Sequence, residues 1–166
     1  MKKALLCILL FAATAAAGID KAQMDAFKKE SQVLNRAIGE ALGSVLPGQS
    51  YLDLPKATYL EGYGAVITLE ASLGPTRTPF SVAETPEQVR KTVNQRRKDI
   101  TEKLETILKQ RIGAMQSIAP NDSVTIVLYL LNSNPADVPD LPAQILLTAK
   151  KPPQKEDPVQ VVRQEF

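Results

Sequence analysis

Apolar residues recur at three-, four- and seven-residue intervals along two long stretches of the chain and at two-residue intervals along shorter ones. This change of period sets the expected elements. Within residues 20–46, Met24, Phe27, Leu34, Ile38, Leu42 and Val45 form a stripe, and Lys21, Lys28, Lys29, Glu30, Arg36 and Glu40 occupy the opposite side. The pattern predicts an amphipathic helix packed on a core. Its mixed charges differ from the lysine-rich polar face of a membrane-surface helix. Gly43 and then Pro47-Gly48 terminate it. A second helix starts at Thr85, a natural N-cap followed by Pro86 at the first helical position and by Gln88 in a capping-box spacing. The stripe Val89, Val93, Ile100, Leu104, Ile107, Leu108, Ile112, Met115 carries it to a stop at Ile118-Ala119-Pro120. A helix of about 30 residues is roughly 45 Å long, so the pattern predicts either an end overhanging the sheet or a kink.

Between the helices, Ala57-Thr58-Tyr59-Leu60 reads as extended and leads through Glu61-Gly62-Tyr63-Gly64 into a strict alternation. Ala65, Ile67, Leu69, Ala71 and Leu73 share one face of this strand, and Val66, Thr68, Glu70 and Ser72 share the other, so it is half-buried. Residues 124–131 are apolar at nearly every position, as in a strand that is covered on both faces or lies centrally. Residues 144–149 form a further strand, ended by Lys150-Lys151-Pro152-Pro153. Residues 49–55, 74–79 and 132–142 have loop composition. The expected fold class is α+β: an antiparallel sheet of about four strands with two long helices packed on it, forming a single domain over residues 18–150. Residues 151–166, with scattered charge and Pro158, are expected to be a flexible C-terminal tail, with docking of Val159, Val161 and Val162 as an edge strand as the alternative.

The start of the chain changes this picture. Lys2 and Lys3 precede an apolar run over residues 4–13, and Thr14-Ala15-Ala16-Ala17 supplies the small residues that a signal peptidase needs. Residues 1–17 are therefore expected to be a cleavable signal peptide, and the protein periplasmic or secreted. The apolar-plus-small stretch of 14 residues is shorter than the about 20 that cross a bilayer. No transmembrane segment is expected after cleavage. Cys7 sits inside the apolar run, away from the position of a lipidated cysteine.

Cleavage also narrows the chemistry, because the chain has one cysteine, which lies in the leader, and no histidine. A mature chain without thiol or imidazole forms no disulfide, and it lacks the residues that build most zinc, copper and haem sites. Thiol nucleophiles and histidine triads are excluded with them. No cofactor and no metal are expected. The 20 basic residues fall to 18 without Lys2 and Lys3, matching the 18 acidic ones, so the mature net charge is zero. With no tryptophan and no basic excess, no nucleic-acid partner is expected.

Several constellations remain as candidates. Glu61 and Glu70 flank the glycine turn with Asp53 near in sequence, a possible pair of carboxylates for acid/base chemistry, set against solvated strand and loop residues. Gly62 and Gly64 lead into a strand, whereas phosphate-cradling loops lead into a helix, so a turn or a close backbone approach is the better account. No serine shows an S-x-x-K spacing at a helix start. The basic run Arg90, Lys91, Arg96, Arg97, Lys98 is interleaved with Glu87, Asp99, Glu102 and Glu105, which favours pairing along the helix over an anionic partner. Tyr51, Tyr59 and Tyr63 cluster with Leu54 and Leu60, either in the core or as a binding wall. The binding candidates are Tyr59, Glu61, Tyr63 and Glu70. No catalytic residue is assigned.

The segment Tyr59-Leu60-Glu61-Gly62-Tyr63-Gly64-Ala65-Val66-Ile67-Thr68-Leu69-Glu70 resembles a group of small exported bacterial proteins of unknown function. The order of elements resembles theirs too, including the opening of the last strand at Pro142-Ala143-Gln144-Ile145. The resemblance implies the domain plan and the export, and no activity. The expected function is an exported non-enzymatic binding or structural domain of the bacterial cell envelope with a protein partner. The alternative is a His/Cys-independent hydrolase or lyase using carboxylates near the Gly62/Gly64 turn. A third possibility, a small-ligand carrier, would need a closed apolar cavity between sheet and helices.

Overall fold

The computed structural model describes residues 20–46, 54–75, 84–132 and 135–166. The leader (residues 1–17) and Tyr51 lie outside these residues, as do Asp53 and part of each loop at 49–55, 74–79 and 132–142.

The first helix, α1 (Lys21–Val45), begins where Asp20 accepts a hydrogen bond from the Gln23 backbone N–H at 2.6 Å. Phe27, Leu34, Ile38 and Leu42 on one face are buried. The helix stops one residue short of Leu46, which precedes Pro47 and is thereby turned away from helical dihedrals. The second helix, α2 (Pro86–Arg111), has both bonds of the capping box at Thr85 and Gln88, with Glu87 in its first turn and Lys109 and Arg111 in its last. At 26 residues it is about 39 Å long. The predicted stripe continues past it into a single 3₁₀ turn (Ile112–Ala114), so the helix tightens at its end.

Five strands form one sheet in sequence order: β1 (Lys56–Leu60), β2 (Gly64–Ser72), β3 (Ser123–Leu131), β4 (Gln144–Lys150) and β5 (Val161–Glu165). The class is α+β, but two details of the expected sheet are corrected. The sheet is mixed, because β2 and β3 pair in parallel while the other three pairs are antiparallel. α2 is longer than the nine-residue strands and carries the chain from the end of β2 back to the level of its start, so β3 runs in the same direction. The strand number is also five, not four. The expected flexible tail contains β5, whose valines follow Pro158 and pair with β4, with Arg163 opposite Leu147.

Both helices lie on one side of the sheet, α1 against β1 and α2 against β4 and β5. They run antiparallel, with Glu30 of α1 beside Ala114 and Met115 and the Ala37–Val45 half beside Asp99 to Arg111. Ala65, Ile67, Leu69, Val124, Ile126, Leu128, Ile145 and Leu147 point from the sheet into this core with the buried faces of the helices. Arg96 reaches from α2 to the carbonyl oxygens of Leu73 and Gly74, satisfying the end of β2. The basic run is thus dispersed: Lys98 pairs with Glu102, Arg97 with Glu165, and Arg90 donates to the Asp137 carbonyl.

The turn between β1 and β2 explains both glycines. The Tyr63 N–H bonds to the Leu60 carbonyl, closing a β-turn whose third residue, Gly62, has φ of +74°. That is the type II position, where glycine is favoured. Gly64 has φ of +117°, and a Cβ there would overlap the Ser123 carbonyl oxygen at the start of β3. The close approach brings β2 and β3 into register from their first residues.

Candidate functional site

No helix among the described residues packs on the other side of the sheet. Because side chains alternate, this face is built from every second residue of each strand, in rows across the sheet. One row is Thr58, Val66, Thr125, Thr148 and Val162, and the next is Lys56, Thr68, Val127, Leu146 and Gln164. A third is Glu70, Tyr129, Gln144 and Phe166. Among the described residues eight large apolar side chains are exposed, and six of them lie on this face or at its margin: Leu60, Tyr63, Tyr129, Leu131, Val162 and Phe166. Its charged residues are Lys56, Glu70 and Lys150, all toward the periphery. The centre is threonine, valine and leucine.

At the start of the strands Tyr63 folds over this face. Its hydroxyl lies 2.5 Å from Thr125 Oγ1, which lies 2.9 Å from Thr148 Oγ1. The ring explains why Thr125 is only 4% exposed although it faces away from the helices. Each of the three hydroxyls can donate along this chain, and no charged side chain is hydrogen-bonded to it among the described residues. It therefore fixes the orientation of Tyr63. Next to Thr148, the loop after β4 forms a cleft of about 350 Å³ lined by Lys150, Lys151, Pro152, Pro158, Gln160 and Val162, continuous with the open face.

The four residues singled out in the sequence separate onto different parts of the molecule. Tyr59 is on the helix side, its ring edge-on to Phe27 at 5.5 Å between centroids. Its hydroxyl accepts from Gln23 Nε2 at 3.3 Å, and the same amide donates to the Ser117 carbonyl at 2.9 Å. Burial, followed by the negative charge of Asp122, pushes the Tyr59 phenol above its ordinary value of 10.0, while the bond from Gln23 pulls the other way. Tyr59 is a packing residue of the α1 contact. Glu61 is exposed in the turn. Tyr63 and Glu70 share the open face but stand near its opposite ends, and Glu70 is opposite Tyr129. Gly64 and Glu70 are six strand residues apart, about 20 Å. Glu61 and Glu70 therefore cannot flank one scissile bond, and neither lines the clefts described here.

Thr125, Tyr129, Leu131, Thr148, Val162 and Phe166 were missed in the sequence. The signal existed in residues 124–131. Reading the run as uniformly apolar hid the fact that its only hydroxyl-bearing residues, Thr125 and Tyr129, fall in one phase of the alternation. β3 is central, as one of the two expectations had it, but it is not covered on both faces: Tyr129 is 43% exposed.

The helix side offers a different kind of cavity. The furrow between α1 and α2, about 720 Å³, is lined by Ala37, Ala41 and Ser44 with Glu40, Asp99, Glu102, Lys103 and Arg111. It is open to solvent and carries both charge signs. No group of three or more carboxylates among the described residues has the geometry to hold a metal ion. None of these clefts is lined by sheet residues that face the helices, so they do not supply the closed cavity that a small-ligand carrier would need. No described helix is long and apolar enough to cross a membrane.

The packing of residues 115–122 is the best-anchored polar feature. The Glu30 carboxylate accepts from the backbone N–H groups of Gln116 and Ser117 and from the Ser117 hydroxyl. From the other side Lys151 Nζ donates to the carbonyl oxygens of Met115 and Ile118. These bonds tie the approach to β3 between α1 and the end of β4, and they use Glu30 and Lys151 structurally. No family model, no curated protein and no solved structure matches the chain, so the chemistry of its open sheet face is the guide to what it does.

Proposed function

We propose that the protein is an exported, non-enzymatic binding domain of the bacterial cell envelope, and that it recognises a protein partner through the open face of its sheet. The observation that carries this is the gathering of exposed apolar side chains on the sheet face that no helix among the described residues covers. A sheet face that only meets water carries alternating charge. This one has Tyr63, Tyr129, Leu131, Val162 and Phe166 among neutral threonines and a glutamine row, with Lys56, Glu70 and Lys150 outside the centre. Depletion of charge with retained tyrosine is the composition of an interface core, and an uncharged partner surface of protein chemistry fits it better than a phosphate-bearing one. The signal-peptide-like leader supports the envelope as the place where this happens.

The expected behaviour is selective. Tyr129→Lys together with Leu131→Lys, which sets a lysine opposite Glu70, should abolish recovery of the partner from an envelope extract, while Thr106→Asp on the outer side of α2 should leave recovery unchanged. All three chains should unfold at similar denaturant concentrations. Equal recovery with the double variant and the native chain would refute the assignment.

A further inference from the structure

We infer that the free edge of β5 pairs with β5 of a second copy of this chain, antiparallel about a two-fold axis at Gln164, joining two sheets into one of ten strands. The inference goes beyond the binding role and does not depend on what the open face recognises.

Hydrogen-bond phase comes first. Gln144 and Phe166 exchange both of their backbone hydrogen bonds. In an antiparallel ladder such pairs recur every second residue, so Val162, Gln164 and Phe166 direct their N–H and C=O groups toward β4. Val161, Arg163 and Glu165 direct theirs outward, and these have no hydrogen-bond partner among the described residues. An edge strand with unpaired groups and no internal proline is a template for another strand. The other edge, β1, fits a second copy poorly, since pairing about Thr58 sets Lys56 against Leu60.

Side chains then choose the register. Outward groups must meet outward groups, so a two-fold axis passes through a residue position. An axis at Arg163 opposes two guanidinium groups, and one at Glu165 opposes two carboxylates. An axis at Val162 leaves Glu165 and Phe166 without a partner strand. At Gln164 every pair is complementary. Arg163 faces Glu165 of the second copy on the helix side, Val162 faces its Phe166 on the open side, and the two Gln164 amides face each other. Val162 and Phe166 are each 60% exposed in the single chain. The same register makes four backbone hydrogen bonds, two from each copy's Arg163 and Glu165. It also runs the open faces of both copies into one continuous surface.

Cross-linking and mass measurements test this. The purified protein should carry Cys7→Ser, so that any disulfide comes from an introduced cysteine. Gln164→Cys places two thiols at a non-hydrogen-bonded pair whose Cα atoms are about 4.5 Å apart, within disulfide range, and should oxidise to a covalent dimer. Arg163→Cys places them a diagonal apart, more than about 7 Å, and should stay uncross-linked. Arg163→Pro removes an outward N–H, a position where an edge strand accepts proline, and should raise the dimer dissociation constant about 30-fold in sedimentation equilibrium. Its thermal unfolding, measured at the lowest concentration, separates lost pairing from lost folding. A native chain that remains monomeric across the concentration series with Gln164→Cys uncross-linked would overturn the inference. So would faster cross-linking through Arg163→Cys, or a folded Arg163→Pro chain that dimerises normally.

Discussion

The two faces of the sheet are made by the same five strands and differ only in the phase of the residues they present. On the helix side, neighbouring aliphatic residues from β2, β3 and β4 are buried nearly completely, and the buried Thr101 of α2 satisfies its hydroxyl on the Arg97 carbonyl of its own helix. On the open side the same strands present Val66, Val127, Leu146 and Thr148, half-buried, and Thr125, buried beneath Tyr63, with Tyr129 and Leu131 exposed. The contrast separates the burial that holds the fold from the face that the proposed partner would cover. Burial against the helices holds the fold, and an apolar, charge-poor face left over after that burial is free to be covered by something else.

Adjacent residues on β3 give the sharpest way to break this comparison. Ile126→Ala removes a side chain sealed under the helices and should cost about 4 kcal/mol in urea unfolding. Val127→Ala, one residue on but on the open side, should cost about 1 kcal/mol, because that side chain is only half-buried and leaves no sealed cavity. Equal losses would mean that the open face is covered within the single chain. Gly64→Ala strikes the residue that registers β2 against β3 for both faces, and should cost about 3 kcal/mol through positive φ and overlap with the Ser123 carbonyl. Thr125→Ala unties the hydroxyl chain beneath Tyr63 and should cost about 1.5 kcal/mol, while freeing the Tyr63 ring on a faster timescale seen by NMR relaxation.

The two tyrosines on either side of the sheet sharpen it further. Tyr59 holds its proton more tightly in the folded chain than in the unfolded one because burial disfavours the phenolate. In the interval above pH 10.0 the folded state therefore binds more protons, and stability falls as pH rises. Its contribution is complete below pH 10.0 and is lost as pH passes the raised folded value. Tyr59→Phe should flatten this alkaline loss. The smallest effect is expected for Tyr129→Ser, within about 0.5 kcal/mol of the native chain although it removes a large ring, since the ring is solvated on the open face.

Much of the fold was legible before any coordinates. Capping at Thr85 and the stripes of both helices are local signals, and local physics enforces them. The parallel pairing of β2 with β3 was not legible, because it depends on how far α2 carries the chain across the sheet. The place of residues 161–165 was left between a flexible tail and an edge strand, and the edge strand is what the structure has. A five-residue stretch with two valines and three polar residues becomes a strand only when β4 offers it an edge. At the candidate site, Tyr59 and Tyr63 are close in sequence and look alike. The type II turn at Gly62 sits between them and sends one ring under α1 and the other onto the open face. Glu61 and Glu70 looked paired for a similar reason, and strand length keeps them apart.

Side-chain footprinting with a photogenerated carbene, on the protein alone and in envelope extract, measures the central claim directly. The account expects labelling of Tyr129, Leu131 and Val127 to fall in the extract while labelling of Glu40 and Lys103 in the interhelical furrow stays constant. Protection confined to the furrow, or no protection of the sheet residues, would contradict it.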